Sequence, residues 1–115
     1  MNIEQLRKYC LSFPHSTEDV KWGSDLCFCV GEKMFCVTGV DGGGNVSFKS
    51  TPEKFAELTE RNGVIPAPYV ARYHWVATER PEAIGDKELK ELIALAYQLV
   101  FDKLPKKIRS TLERK

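Results

Sequence analysis

Leu26-Cys27-Phe28-Cys29-Val30-Gly31-Glu32-Lys33-Met34-Phe35-Cys36-Val37 is the stretch on which the fold turns. Two apolar runs flank a two-residue break that begins with glycine, the pattern of a tight β-hairpin. Glycine in the first central position predicts a type II′ turn. That turn sets Val30 opposite Lys33, Phe28 opposite Phe35 and Cys27 opposite Cys36. In this register Cys27, Cys29 and Cys36 share one face. Directly opposed side chains stand about 5 Å apart at Cβ, longer than a disulfide prefers. The three thiols therefore read as small half-buried hydrophobes rather than a bridge or a soft-metal site.

Working outward, Thr17 to Trp22 reads as a strand with Val20 and Trp22 on one face, and the hairpin's second strand runs from Lys33 to Val40. Asp41-Gly42-Gly43-Gly44 makes the next turn, and Asn45 to Lys49 is a fourth strand in which Val46 and Phe48 alternate with polar neighbours. Thr51-Pro52-Glu53 opens a helix, with Thr51 as cap and Phe55 and Leu58 inward, and Asn62-Gly63 supplies its left-handed stop. Pro66 and Pro68 favour an extended path from Val64 to Tyr73, and Trp75 to Thr78 is a fifth strand. A loop around Pro81 leads to the clearest helix. It starts near Asp86, carries Leu89, Leu92, Ile93, Ala96, Tyr97 and Val100 on one stripe, and is interrupted by Pro105. At the other end of the chain, Asn2 caps an amphipathic helix bearing Ile3, Leu6, Cys10 and Phe13, which stops before Pro14. The expected architecture is a single α+β domain over residues 1–115. It is a two-layer sandwich whose largely antiparallel sheet of about five strands is covered by three helices.

Composition narrows the function classes. At 43% hydrophobic and 29% charged residues the chain has ordinary globular content, and no apolar run approaches the roughly 20 residues of a membrane span. The start, Met1 to Lys8, already reads as helix rather than as a signal peptide. The four cysteines lack the C-x-x-C pairs of a zinc site and read as reduced thiols of the cytoplasm. His15 and His74 lack the company of a metal site, and no nucleophile signature surrounds any cysteine. Gly42-Gly43-Gly44 joins two strands and lacks the Lys-Ser/Thr of a phosphate loop. The expectation is a binding module without catalytic residues, metal or cofactor. No apolar stripe is left over once the core is assigned, which suits a monomer.

The net charge of +1 is unevenly spread. Residues 101–115 carry six cations (Lys103, Lys106, Lys107, Arg109, Arg114, Lys115) against Asp102 and Glu113, a local +4, which leaves −3 for the rest. Such an end suits an anionic partner. Leu104-Pro105-Lys106-Lys107-Ile108-Arg109 packs three of these cations around a proline turn, an arrangement fit for phosphate contacts. Tyr69, Tyr73, His74 and Trp75, with Arg72 among them, offer stacking surfaces beside a positive charge.

Several motifs in order resemble the MmcQ/YjbR family: Phe13-Pro14, Trp22-Gly23, Phe28 to Phe35, Pro66-Ala67-Pro68-Tyr69, Trp75-Val76, and Leu99 to Lys107. The resemblance runs nearly the full length. It implies a CyaY (frataxin)-like fold of antiparallel sheet covered by helices, in a small bacterial protein described as DNA-binding through a double-wing arrangement. The chain departs from the family pattern at Cys29, where lysine is frequent, and at Lys21, where proline is frequent. The first removes a cation from the surface a nucleic acid would use and the second adds one nearby. Iron binding through a carboxylate-rich first helix does not suit this chain, because Glu4 stands there with Arg7 and Lys8. DNA is thus the expected partner, held mainly by electrostatics. Lys33, Lys49, Arg72, Lys103, Lys106, Lys107 and Arg109 are the candidates for phosphates, and Tyr69 and Tyr73 for stacking. The alternative is a protein-interaction or small-ligand module in which residues 66–75 line an apolar groove.

Overall fold

The computed structural model describes residues 1–40, 45–68 and 70–113. Its elements in chain order are α1 (Ile3–Leu11), β1 (Ser16–Lys21), β2 (Asp25–Val30), β3 (Lys33–Gly39), β4 (Val46–Lys49), α2 (Pro52–Leu58), β5 (Val64–Pro66), β6 (Trp75–Thr78), α3 (Asp86–Asp102) and α4 (Lys106–Glu113). The strands form one sheet in the order β1-β2-β3-β4-β6-β5, and every neighbouring pair is antiparallel. The expected α+β class holds, with six strands rather than about five and four helices rather than three.

Both additions sit next to proline. β5 pairs Val64, Ile65 and Pro66 with Thr78, Ala77 and Val76 at the sheet's edge, where a residue without an N–H costs no ladder bond on its open side. α4 begins directly after Pro105, whose carbonyl accepts from Arg109 N–H. Proline at a helix start loses no bond and has the right φ, so it opens this helix where it was expected only to end the one before.

The hairpin holds, but its details differ. Gly31 and Glu32 both have positive φ, +56° and +68°, which is the type I′ geometry and not type II′. Val30 pairs with Lys33 and Cys29 with Met34, but Phe28 then meets Cys36 and Cys27 meets Val37. Phe35 is the extra residue of a β-bulge, and its ring and the Cys36 thiol are both buried in the main core. Cys36 therefore points to the opposite face from Cys27 and Cys29, which removes the expected three-thiol cluster. Cys36 instead lies in the main core with Cys10 of α1. The Asp41–Gly44 turn lies outside the described residues.

Alternation places Leu26, Phe28, Val30, Cys36, Val46, Phe48 and Val76 on one face, where they pack against Leu6 and Cys10 of α1 and the buried stripe Leu89, Leu92, Ile93, Ala96, Tyr97 and Val100 of α3. That stripe is the one read from the sequence. Asn2 caps α1 through a reciprocal box with Gln5, and Thr51 caps α2 ahead of Pro52. Gly63 does not stop α2, which already ends at Leu58. It takes φ +87° in the turn entering β5, where a Cβ would stand 2.8 Å from Arg80 Nη1. β1 ends at Lys21, and Trp22 leaves the strand in a left-handed turn, φ +55°. Val20 and Trp22, expected on one face of the strand, are both exposed. No helix among the described residues is long and apolar enough to cross a membrane.

Candidate nucleic-acid interface

The cations converge through three backbone arrangements. The β2–β3 turn brings Lys33 to one end of the sheet, two residues from Gly31, and the Leu104 methyls pack so close to Gly31 that a Cβ there would lie 2.7 Å from Cδ1. That contact docks the α3–α4 junction, with Lys103 before it and Lys106 and Lys107 in the first turn of α4, beside the hairpin turn. β4 ends at the same place, because Phe48 pairs with Cys36 and Lys49 follows it, directly opposite Trp75 at the start of β6. A short 3-10 turn over Ala71–Tyr73 precedes β6, and Lys49 Nζ donates to the Tyr73 carbonyl at 3.0 Å. Arg72 lies over the exposed Tyr73 ring, 4.8 Å from its centroid.

Lys33, Lys49, Arg72 and Lys103 thus share one end of the sheet, with Lys106 and Lys107 continuing from it. Partial burial lowers the Lys49 ammonium below its ordinary value, and the Lys103 charge lowers it further. None of Lys33, Lys49, Arg72, Lys103, Lys106, Lys107 or Arg109 pairs with a carboxylate among the described residues. Glu32 and Asp102, adjacent in sequence to Lys33 and Lys103, form no ion pair among the described residues either. Arg109 differs from the rest: it is half-buried and its Nε lies buried without a hydrogen-bond partner. Tyr69 lies outside the described residues, so of the two stacking candidates only Tyr73 is placed.

The apolar groove expected as the alternative use of residues 66–75 is present, lined in part by Ala67, Pro68, Val70 and Trp75. It lies on the second face of the sheet, which carries no α-helix among the described residues. That face is overlain at one side by Ala67 and Val70, which pack with Trp75, Ala77, Met34, Val37 and Ile65. The groove, of about 590 Å³, runs across it, with Trp22 and Asp25 at the end away from Lys49. Trp22 was visible as half of a Trp-Gly pair, but its exposure follows from the left-handed backbone, which alternation does not reveal.

Among the described residues, no group of three His, Cys, Asp or Glu side chains is placed to hold a metal ion. The arrangement offers charge, hydrogen-bond donors and aromatic faces.

Solved structures share this fold. Protein DR2400 of Deinococcus radiodurans, described as carrying a DUF419 domain, superimposes with a TM-score of 0.86 at 28% identity, over 96% of this chain and 87% of that one. A protein from Pseudomonas syringae shares the fold at 22% identity and a TM-score of 0.69, over 87% of this chain and 99% of the other. No curated protein matches the chain. The YjbR family model matches residues 11–99, a span that takes in the hairpin, the Trp22 turn, the whole sheet and most of α3, and the chain belongs to that family.

Proposed function

We propose that the chain is a DNA-binding protein without chemistry of its own, a monomer that holds phosphates at the lysine-bearing end of its sheet. The observation that carries this reading is that the β3–β4–β6 pairing and the Leu104–Gly31 contact bring Lys49 and Lys103 to one end of the sheet, with no carboxylate paired to either among the described residues. Two like charges brought together beside a partly desolvated site raise the free energy of the folded chain, and an anion placed between them lowers it. The first turn of α4 has the same character. Lys106 and Lys107 stand where exposed N–H groups already make the helix end positive, a position at which anions are stabilising. Arg72 adds a guanidinium able to fork onto phosphate oxygens, with Tyr73 beneath it.

Charge reversal tests the reading. Lys103→Glu with Lys106→Glu and Lys107→Glu changes exposed side chains only, so the fold persists while mobility-shift binding of DNA at low salt disappears. Unchanged binding by the triple variant removes the reading. The groove favours a second one, a small-ligand or peptide module built on residues 66–75, whose binding the triple variant leaves intact.

A further inference from the structure

We infer that the groove on the helix-free face takes unstacked nucleobases, so that the chain holds an unpaired strand whose phosphates lie at the lysine end. This rests on the nucleic-acid reading above. The first support is position. Lys49 stands directly opposite Trp75 on the helix-free face, so the groove opens beside the cationic end. Asp25 pairs with Gly39 at the far end, six residues along β3 from Lys33, which is roughly 20 Å at about 3.3 Å per residue. A short run of extended strand fits that length better than one nucleotide does.

The lining is the second support. Met34, Val37, Val70 and Trp75 provide apolar surface, and Asp25 is the one ionisable side chain among the described lining residues. On the same face Asp19 and Lys21 flank it, with Lys21 directly opposite Asp25, so these three side chains sum to −1. A phosphate backbone is repelled there, whereas the face of a base is welcome. The strand therefore seats phosphates on the cations at one end, and at the other it turns its backbone out to solvent and presents base faces to the groove. In a duplex the base faces are already stacked on one another, so only an unpaired strand can use both ends.

Trp22 is the third support. Its side chain is 72% exposed at the groove's rim while its backbone holds φ +55°. For so bulky a residue the left-handed region is strained, and an exposed indole recovers little of that strain by burial. Held open in this way, it is a stacking platform. The exposed Tyr73 ring provides a second one by the lysines.

The chemistry of Asp25 adds a base preference. An ionised carboxylate only accepts hydrogen bonds, so it receives the amino group of cytosine and is mismatched to the carbonyl that thymine shows at the same edge. Oligo-dC should therefore bind more tightly than oligo-dT.

The chain contains two tryptophans, and both line the groove, so intrinsic fluorescence reports its occupancy. Titration at low salt with oligo-dC, oligo-dT of equal length and a blunt hairpin duplex should show quenching by the single strands. The duplex should bind about tenfold more weakly, since the groove's share of one stacked base is roughly fivefold to a hundredfold. Asp25→Asn should bring the dC and dT affinities together. Trp22→Ala, a change at an exposed residue, should weaken single strands and leave the duplex unaffected. Equal binding of duplex and single strand without a tryptophan response, or oligo-dT at least as tight as oligo-dC, overturns the inference while the phosphate site stands. No binding of either form overturns both.

Discussion

Replacing Gly31 with alanine should destabilise the fold by about 2–3 kcal/mol. The residue holds φ +56°, and an L side chain in the left-handed region costs about 1–2 kcal/mol. A Cβ would also stand 2.7 and 2.9 Å from the two Leu104 methyls and 3.3 Å from Cγ. Leu104 is 4% exposed and cannot swing into solvent without leaving the core. Overpacking costs about 1–3 kcal/mol, with the lower end expected here because the atoms that must yield are at the tip of a side chain. For 115 residues, about 2.1 cal/mol/K each gives an unfolding entropy of about 0.24 kcal/mol/K, hence a Tm lower by about 8–12 °C. Urea and thermal unfolding followed by circular dichroism measure both quantities. A second background separates the two contributions: with Leu104→Ala the clash is gone, so Gly31→Ala should cost about 1 kcal/mol less there than in the natural sequence. A Gly31→Ala protein within about 0.5 kcal/mol of the parent, or strictly additive costs, would refute the close packing of the α3–α4 junction on the hairpin turn.

Two further outcomes follow from buried and paired groups. The Arg61 guanidinium binds Glu88 through two bonds of 2.7 and 2.8 Å and, with burial opposing, holds its carboxyl below the ordinary value. A depressed folded-state pKa gives stability that is complete above the unfolded value, about 4.3, and is lost as pH falls through the folded one. The pair is partly exposed, so the contribution is under about 1 kcal/mol. Glu88→Gln should flatten the fall of Tm between about pH 5 and pH 3, and an unchanged profile would count against the pair. Cys10, Cys27 and Cys36 are fully buried, and burial pushes the Cys27 thiol up to about 11. A thiol reagent at neutral pH should label the native protein slowly, whereas denatured protein should yield all four thiols without reductant. Rapid labelling of the native chain, or fewer than four thiols on unfolding, would contradict the packing.

The parts of the fold legible in the sequence are those where a single period decides. Leu89 to Val100 keeps helical spacing through about three turns, and every residue of that stripe is buried. The hairpin is legible from Gly31-Glu32, but its register is not, because Phe35 and Cys36 are both apolar and either satisfies the inward position opposite Phe28. One bulge then moves Cys36 to the other face. Trp22 continues the alternation of β1 by residue type, and only its left-handed backbone removes it. α4 is short and dominated by cations, with Ile108 and Leu112 too few to announce a buried face. The candidate cations are individually legible as lysines and arginines, though not the partial burial of Lys49 and Arg109. Their meeting is not legible, because Lys49 and Lys103 are brought together by the pairing of β4 with β3 and by the packing of Leu104 on Gly31, and residues 49 and 103 are far apart in sequence.

The salt dependence of DNA binding bears most directly on the cationic end of the sheet. Neutralising six phosphates at Lys33, Lys49, Arg72, Lys103, Lys106 and Lys107 predicts a slope of log K against log salt of about −5.4 on duplex and about −4.2 on single strand. Lys103→Gln should make it shallower by about one charge's worth, roughly 0.9 or 0.7, uniformly across base sequences. A slope near zero, or one that Lys103→Gln leaves unchanged, would contradict phosphate binding at this end of the sheet.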